Sequence, residues 1–351
     1  MASRPVVVAL RPLWLGDLLT GIPALRALRN RFPHHRLVLA APAVLAPLAR
    51  LADAVDDVVP TQPHAALHPS LHGADVAVDL HGRGPASHRV LLGARPRRLV
   101  AFAHPAIPES SGLPTWREEE HEVHRWCRLL AETGIPADPR RLDLDPRRFP
   151  APALAAGATL IHPGAKSPAR RWPAERFAAV GRAEAAAGRR VLLTGGADEQ
   201  ALAGAVADAA GLPAEAVLAG RTSLVQLAGL VAGAGRVVAN DTGIGHLATA
   251  FGTPSVILFG PSSPAHWGPP PGQCRHVPLW AGRRGDPHGR DPDPGLLELT
   301  VADVFRALAD LDAEEATFSG TTPSSPEPLV ARTFLQLLKK RISAAATDVM
   351  H

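Results

Sequence analysis

The sequence predicts an α/β protein built from two doubly wound parallel-sheet units that face a central cleft. Three observations carry that expectation. Short apolar runs alternate with helical patterns, as strand–helix–strand crossovers require. The alternation stops at a stretch rich in Pro, Arg and Ala, residues 138–158, and then restarts. The length of 351 residues suits two units at roughly 100–200 residues each. The expected division is 1–150, 151–312, and a tail over 313–351.

In the first unit, residues 6–10 read as a buried strand. A helix is expected over 18–32, with Leu19, Ile22, Leu25 and Leu28 turned inward and Pro23 near its start, where a missing N–H is tolerated. Strands follow at 37–41, 55–59, 74–80 and 99–102, and a helix at 118–132. The second unit opens with a strand at 159–162. Helices are expected at 173–187, 198–210, 224–232 and 243–251, between strands at 190–194, 217–219, 236–239 and 255–259. Beyond Gly260 the chain is rich in Pro and Gly until Leu296, and 301–311 reads as a helix. A Ser/Thr/Pro linker at 318–328 precedes an amphipathic basic helix at 329–342. That helix packs on the first unit, frays, or touches a membrane surface.

Composition removes several classes of function. With 46% hydrophobic and 20% charged residues the chain is no disordered polymer. The net charge of +4 is spread out, and aromatics make up only 4%, so no nucleic-acid partner is expected. Cys127 and Cys274 lie far apart and suggest neither a zinc site nor a redox dithiol. His64, His68 and His72 are spaced like helical ligands, but Pro63 and Pro69 make that stretch a loop. No run of about 20 apolar residues suits a bilayer, and no signal peptide is expected. The expected location is cytoplasmic, with peripheral contact at the membrane face as an option. Only three lysines occur, Lys166, Lys339 and Lys340.

Four segments carry candidate chemistry, each where a strand hands over to a helix, the ligand end of a parallel sheet. Residues 11–17 place Gly16 and Asp17 at a helix start, where an acid is stabilised as an anion or caps the helix. Residues 162–173 set Lys166, Arg170 and Arg171 on one loop, able to neutralise a diphosphate or to stand as a solvated basic loop. Residues 194–199 offer Gly195, for close backbone approach, and Glu199, for ribose hydroxyls or for an ordinary turn. Residues 240–246 combine Asp241 and the Thr242–Gly243 helix start, a ready phosphate site, with His246 on the same helix face.

In this order, R-x-x-x-x-G-D at residues 11–17, H-P-G-A-x-x-x-x-R-R-W-P-x-E-R-F at 162–177, and N-D-T-G-x-x-H-L-A-x-A at 240–250 resemble the glycosyltransferase family 9 proteins. These are the ADP-heptose:lipopolysaccharide heptosyltransferase-like enzymes of GT-B fold. The resemblance spans roughly residues 5–270. It implies an inverting, metal-independent transfer of a sugar from a nucleotide diphosphate to a hydroxyl of a glycan or glycolipid, by a monomer without cofactor. It implies Asp17 as the general base, and Lys166, Arg170, Arg171, Thr242 and Gly243 around the donor diphosphate. Gly195 and Glu199 would meet the nucleoside, and Asp241 and His246 the donor sugar. Arg170 stands where many members carry Lys, and Trp14 where small residues are common, which narrows the acceptor side. The Asp143–Asp145 and Asp291–Asp293 strings fit a metal-dependent transferase poorly, since one lies in the linker and one in a Pro-rich loop. A non-catalytic nucleotide-sugar binder is the alternative reading.

Overall fold

The computed structural model describes residues 4–318. The linker expected at 318–328 and the basic helix expected at 329–342 lie outside, apart from Phe318.

The first unit comprises β1 (Val6–Leu10), α1 (Leu15–Arg31), β2 (Arg36–Ala41), α2 (Ala46–Leu51), β3 (Asp57–Pro60), β4 (Val76–Asp79), α3 (Ala86–Gly93), β5 (Arg98–Val100) and α4 (Glu122–Glu132). The second comprises β6 (Thr159–His162), α5 (Ala174–Ala186), β7 (Val191–Leu193), α6 (Gln200–Ala210), α7 (Leu224–Gly233), β8 (Arg236–Asn240), α8 (Gly243–Phe251), β9 (Ser255–Phe259), α9 (Pro264–Trp267), β10 (His276–Trp280), α10 (Pro294–Glu298) and α11 (Val301–Phe318).

The strand orders are β3-β2-β1-β4-β5 and β10-β9-β8-β6-β7, and every pair is parallel. Central strands such as β1 and β8 are buried almost throughout, which is why they read as continuous apolar runs rather than as alternation. In each sheet the order reverses beside one strand, between β1 and β4 and between β6 and β8. Ligand crevices open at such points, outside the strands' carboxyl ends.

Three expectations need correction. Pro23 is the ninth residue of α1, well inside it, because the helix starts at Leu15 rather than at 18. Residues 217–219 form no strand: Val217 makes a single bridge to Leu193, next to a short 3₁₀ turn at Ala214–Ala216. Residues 276–280, hidden in the Pro/Gly-rich stretch, add edge strand β10, whose Pro278 a central position would not tolerate.

The two units are pressed together. Phe149, from the connecting segment, is buried against Phe251 at a ring distance of 5.2 Å, and the Leu144 N–H donates to the Ala250 carbonyl at 2.8 Å. At the rim, Glu119 of the first unit accepts from both terminal nitrogens of Arg284 (2.8 and 2.6 Å) and lies 3.0 Å from His266 Nε2. His121 Nε2 reaches the Gly268 carbonyl at 2.9 Å. The Pro/Gly-rich stretch therefore braces the cleft rim.

Candidate active site

β1 ends at Leu10, and Arg11 turns back into the protein rather than toward solvent. Its guanidinium is buried and donates to the Leu80 and Asp17 carbonyls, to Thr20 Oγ1 (3.0 Å) and to Glu122 Oε1 (3.1 Å). Glu122 also accepts from Arg125 and, at 2.8 Å, from the Trp126 indole N–H. Burial alone would raise the Glu122 carboxyl, but Arg11, Arg125 and the indole outweigh it and hold the group below the usual range. This cluster forms a fixed positive and negative frame directly behind α1.

Asp17 is the third residue of α1. Its Oδ2 accepts the Trp14 N–H at 3.2 Å, half of a capping box. Its Oδ1 lies 3.9 Å from Arg11, and the side chain keeps 21% exposure. Burial pushes its pKa up, Arg11 pulls against that, and Glu122 adds to the rise. Capping and chemistry are thus compatible: one oxygen serves the helix, and the carboxylate retains solvent access. Trp14 itself is 58% exposed.

Across the cleft, Asn240 at the end of β8 fastens the basic loop. Its Nδ2 donates to the Pro163 carbonyl (2.8 Å), and its Oδ1 accepts the Trp172 N–H (3.0 Å). Trp172 is buried, with its indole N–H on the Leu299 carbonyl, so it anchors the loop. Ser167 and Ala169 are tied to the Gly289 carbonyl. Arg170 donates to the Asp241 carbonyl at 3.4 Å, while its Nε is buried without a hydrogen-bond partner among the described residues. Arg171 Nε is engaged by the Ala165 carbonyl, and exposed Lys166 stands over the Trp14 ring at 5.4 Å.

Asp241 is buried, and burial lifts its carboxyl to about 6 in spite of Arg170. His246 is pushed down to about 4, first by burial and then by the neighbouring His121, so its ring is neutral at physiological pH. Thr242 is the residue before α8, and Gly243 is its first. A small pocket lined by Asp241, Thr242, Gly245, His246 and Trp267 opens at this helix start.

Two glycines let the helix starts meet. A Cβ on Gly16 would fall 2.8 Å from the His246 ring, and one on Gly243 would fall 2.9 Å from the Leu15 side chain. The structure therefore brings Asp17 beside the Asp241, Thr242, Gly243, His246 and Arg170 group. Gly195 and Glu199 follow β7, with Glu199 packed against Gly164 at the start of the basic loop. There Glu199 Oε2 accepts the Gly196 N–H (2.8 Å) and lies 3.7 Å from His162 Nε2. Sequence reasoning missed the Arg11–Glu122–Trp126 frame and the fastening by Asn240. It also missed His81, at the end of β4, whose buried Nδ1 has no hydrogen-bond partner among the described residues. An arginine ending a buried strand was the one available signal.

Two parallel sheets, with the Asp17 carboxylate at one helix start and Thr242 and Gly243 at the other, have the GT-B arrangement. Residues 113–284 match the model of glycosyltransferase family 9 (heptosyltransferase). Lipopolysaccharide heptosyltransferase 2 of Salmonella typhimurium is 26% identical, over 88% of this chain and 99% of that protein. The protein of the same name from Escherichia coli K12 shows the same identity and coverage. The fold matches the E. coli ADP-heptose LPS heptosyltransferase II structure with TM-score 0.70 at 25% identity, over 88% of this chain and 99% of that one. It matches a family 9 glycosyl transferase from Veillonella parvula with TM-score 0.72 at 18% identity, over 90% and 99%. Over residues 113–284 the chain is similar to glycosyltransferase family 9, and over 88% of its length to lipopolysaccharide heptosyltransferases.

Proposed function

We propose that the chain transfers a heptose from ADP-heptose to a hydroxyl of the lipopolysaccharide core, with inversion and without a required metal. The observation that carries this is the packing of the α1 start, bearing Asp17, on the α8 start, bearing Asp241, Thr242 and Gly243. The names of the relatives supply the sugar and the acceptor. In this reading residues 1–150 hold the acceptor and 151–312 the donor. One chain supplies both halves of the cleft, so a monomer suffices. No helix among the described residues is long and apolar enough to cross a membrane. Work at the cytoplasmic membrane face is part of the proposal.

Asp17 accepts the proton of the acceptor hydroxyl, and that oxygen attacks the anomeric carbon from the face opposite the diphosphate. The bond to the diphosphate oxygen breaks, ADP leaves, and a single displacement inverts the centre. Burial favours this base, since a carboxylate with a raised pKa takes a proton more readily. Charge on the leaving diphosphate meets Arg170, whose Nε is unpaired, together with the Thr242 hydroxyl and the first N–H groups of α8. Arg171 and Lys166 add field from the loop. Neutral His246 and Asp241 border the sugar, and Gly195 and Glu199 the nucleoside. The Asp-x-Asp strings are otherwise engaged: Asp145 holds Arg147, and Asp293 caps α10.

The test is ADP release from ADP-heptose in the presence of lipopolysaccharide from a strain lacking heptosyltransferase 2. Asp17→Asn should lower kcat about 10²–10⁴-fold while donor binding persists. Undiminished turnover sinks the base assignment. Binding without ADP release favours the non-catalytic reading. Retention of anomeric configuration in the product, or loss of turnover in EDTA, refutes the finer claims.

A further inference from the structure

Trp14 is the most exposed large apolar side chain among the described residues. An indole left largely in water forgoes the stabilisation that burial of its apolar surface would give. The same position precedes α1, where Ser, Thr or Asp would cap the helix with a side chain, and Trp14 makes no such bond. The residue thus gives up two ordinary sources of stability at one place, three positions before Asp17. The place is not an outer surface. Lys166, from the basic loop of the second unit, stands over the ring at 5.4 Å. The indole therefore occupies the junction between the carboxylate and the donor-side loop. An acceptor sugar must lie at that junction if its hydroxyl is to reach both Asp17 and the donor's anomeric carbon.

We propose that Trp14 is the acceptor platform, an aromatic face on which the C–H face of the acceptor pyranose packs while its hydroxyl meets Asp17. Sugar rings present an apolar face of axial C–H groups, and a flat, amphipathic indole is suited to it. The Trp14 backbone N–H, not its ring, holds the Asp17 carboxylate. Substituting the side chain therefore leaves the base in place. This inference rests on the transferase reading for the identity of the acceptor.

The experiment compares wild type with Trp14→Ala, Trp14→Phe and Trp14→Leu. It uses ADP-heptose and both intact and fully deacylated acceptor from the strain above. Acceptor KM is read from ADP release, and binding of the deacylated oligosaccharide is read by calorimetry. Trp14→Ala should raise acceptor KM at least tenfold, leave donor KM within twofold, and keep the melting temperature. Phe should recover most of the loss and Leu little. Equal oligosaccharide binding by wild type and Trp14→Ala overturns the proposal, as does full rescue by Leu. A penalty confined to the acylated acceptor also overturns it, since the ring would then serve the lipid. Wild type that binds the oligosaccharide through Trp14 but releases no ADP supports the platform and sinks the transferase reading.

Discussion

Replacing Asp241 with Asn should make the enzyme more stable at neutral pH and worse at its work. Burial raises the Asp241 carboxyl from 3.8 to about 6. Below pH 3.8 the group is protonated in both folded and unfolded chains and contributes no difference. Between there and about pH 6 the unfolded chain gives up its proton first, so the folded state binds more protons and stability falls as pH rises. Above about pH 6 the loss is complete. A shift of about two units, at roughly 1.4 kcal/mol each, makes it about 3 kcal/mol. Asn mimics the protonated form and escapes that loss. The variant should match wild type near pH 4 and exceed it by up to about 3 kcal/mol at pH 8. At roughly 2.1 cal/mol/K per residue, a chain of this length should melt about 4 °C higher. Urea unfolding at several pH values gives the free-energy difference, and turnover with ADP-heptose should fall at least tenfold. A constant stability difference between pH 4 and pH 8 would refute the reasoning, because Asp241 would then be ionised at no cost.

Glu122→Gln removes a charge that raises Asp17 and frees Arg11 to pull it down. The acid limb of the kcat/KM profile should move to lower pH, and stability should drop by about 3–5 kcal/mol, the cost of breaking a buried pair. Gly243→Ala places a methyl 2.9 Å from Leu15. The overpacking should cost about 1–3 kcal/mol and depress turnover, with Leu15→Ala partly rescuing both. Arg170→Ala should reduce kcat more than exposed Lys166→Ala does; the reverse order in steady-state kinetics would make Lys166 the principal phosphate contact. Glu119→Gln, at the exposed rim, should leave the melting temperature unchanged in 0.15 M salt, because such pairs are screened.

Much of this protein is written along its chain. Buried parallel strands such as Ser255–Phe259 announce themselves as apolar runs, and α8, at Gly243–Phe251, has the bounds its pattern predicts. The expected helix begins at 18 because Gly16 and Asp17 read as the residues just ahead of it, with Asp17 as a cap, whereas Asp17 is the third residue of the helix. Strand β10 was missed because Pro278 and half-exposed neighbours erase the apolar signal that a central strand carries.

The sequence by itself determined the fold class, a family resemblance, and the strand-to-helix junctions where chemistry could lie, because periodicity and motif spacing are local properties. Only the tertiary structure decided that the Asp17 junction and the Asp241 junction touch. That meeting depends on two absent side chains, at Gly16 and Gly243, which permit helices from separate sheets to approach end to end. Folding also turned Arg11 inward onto Glu122, and it turned Lys166, one of only three lysines, outward onto Trp14. Where a charge ends up, and what it faces, depends on packing between units distant in sequence, which no local pattern encodes.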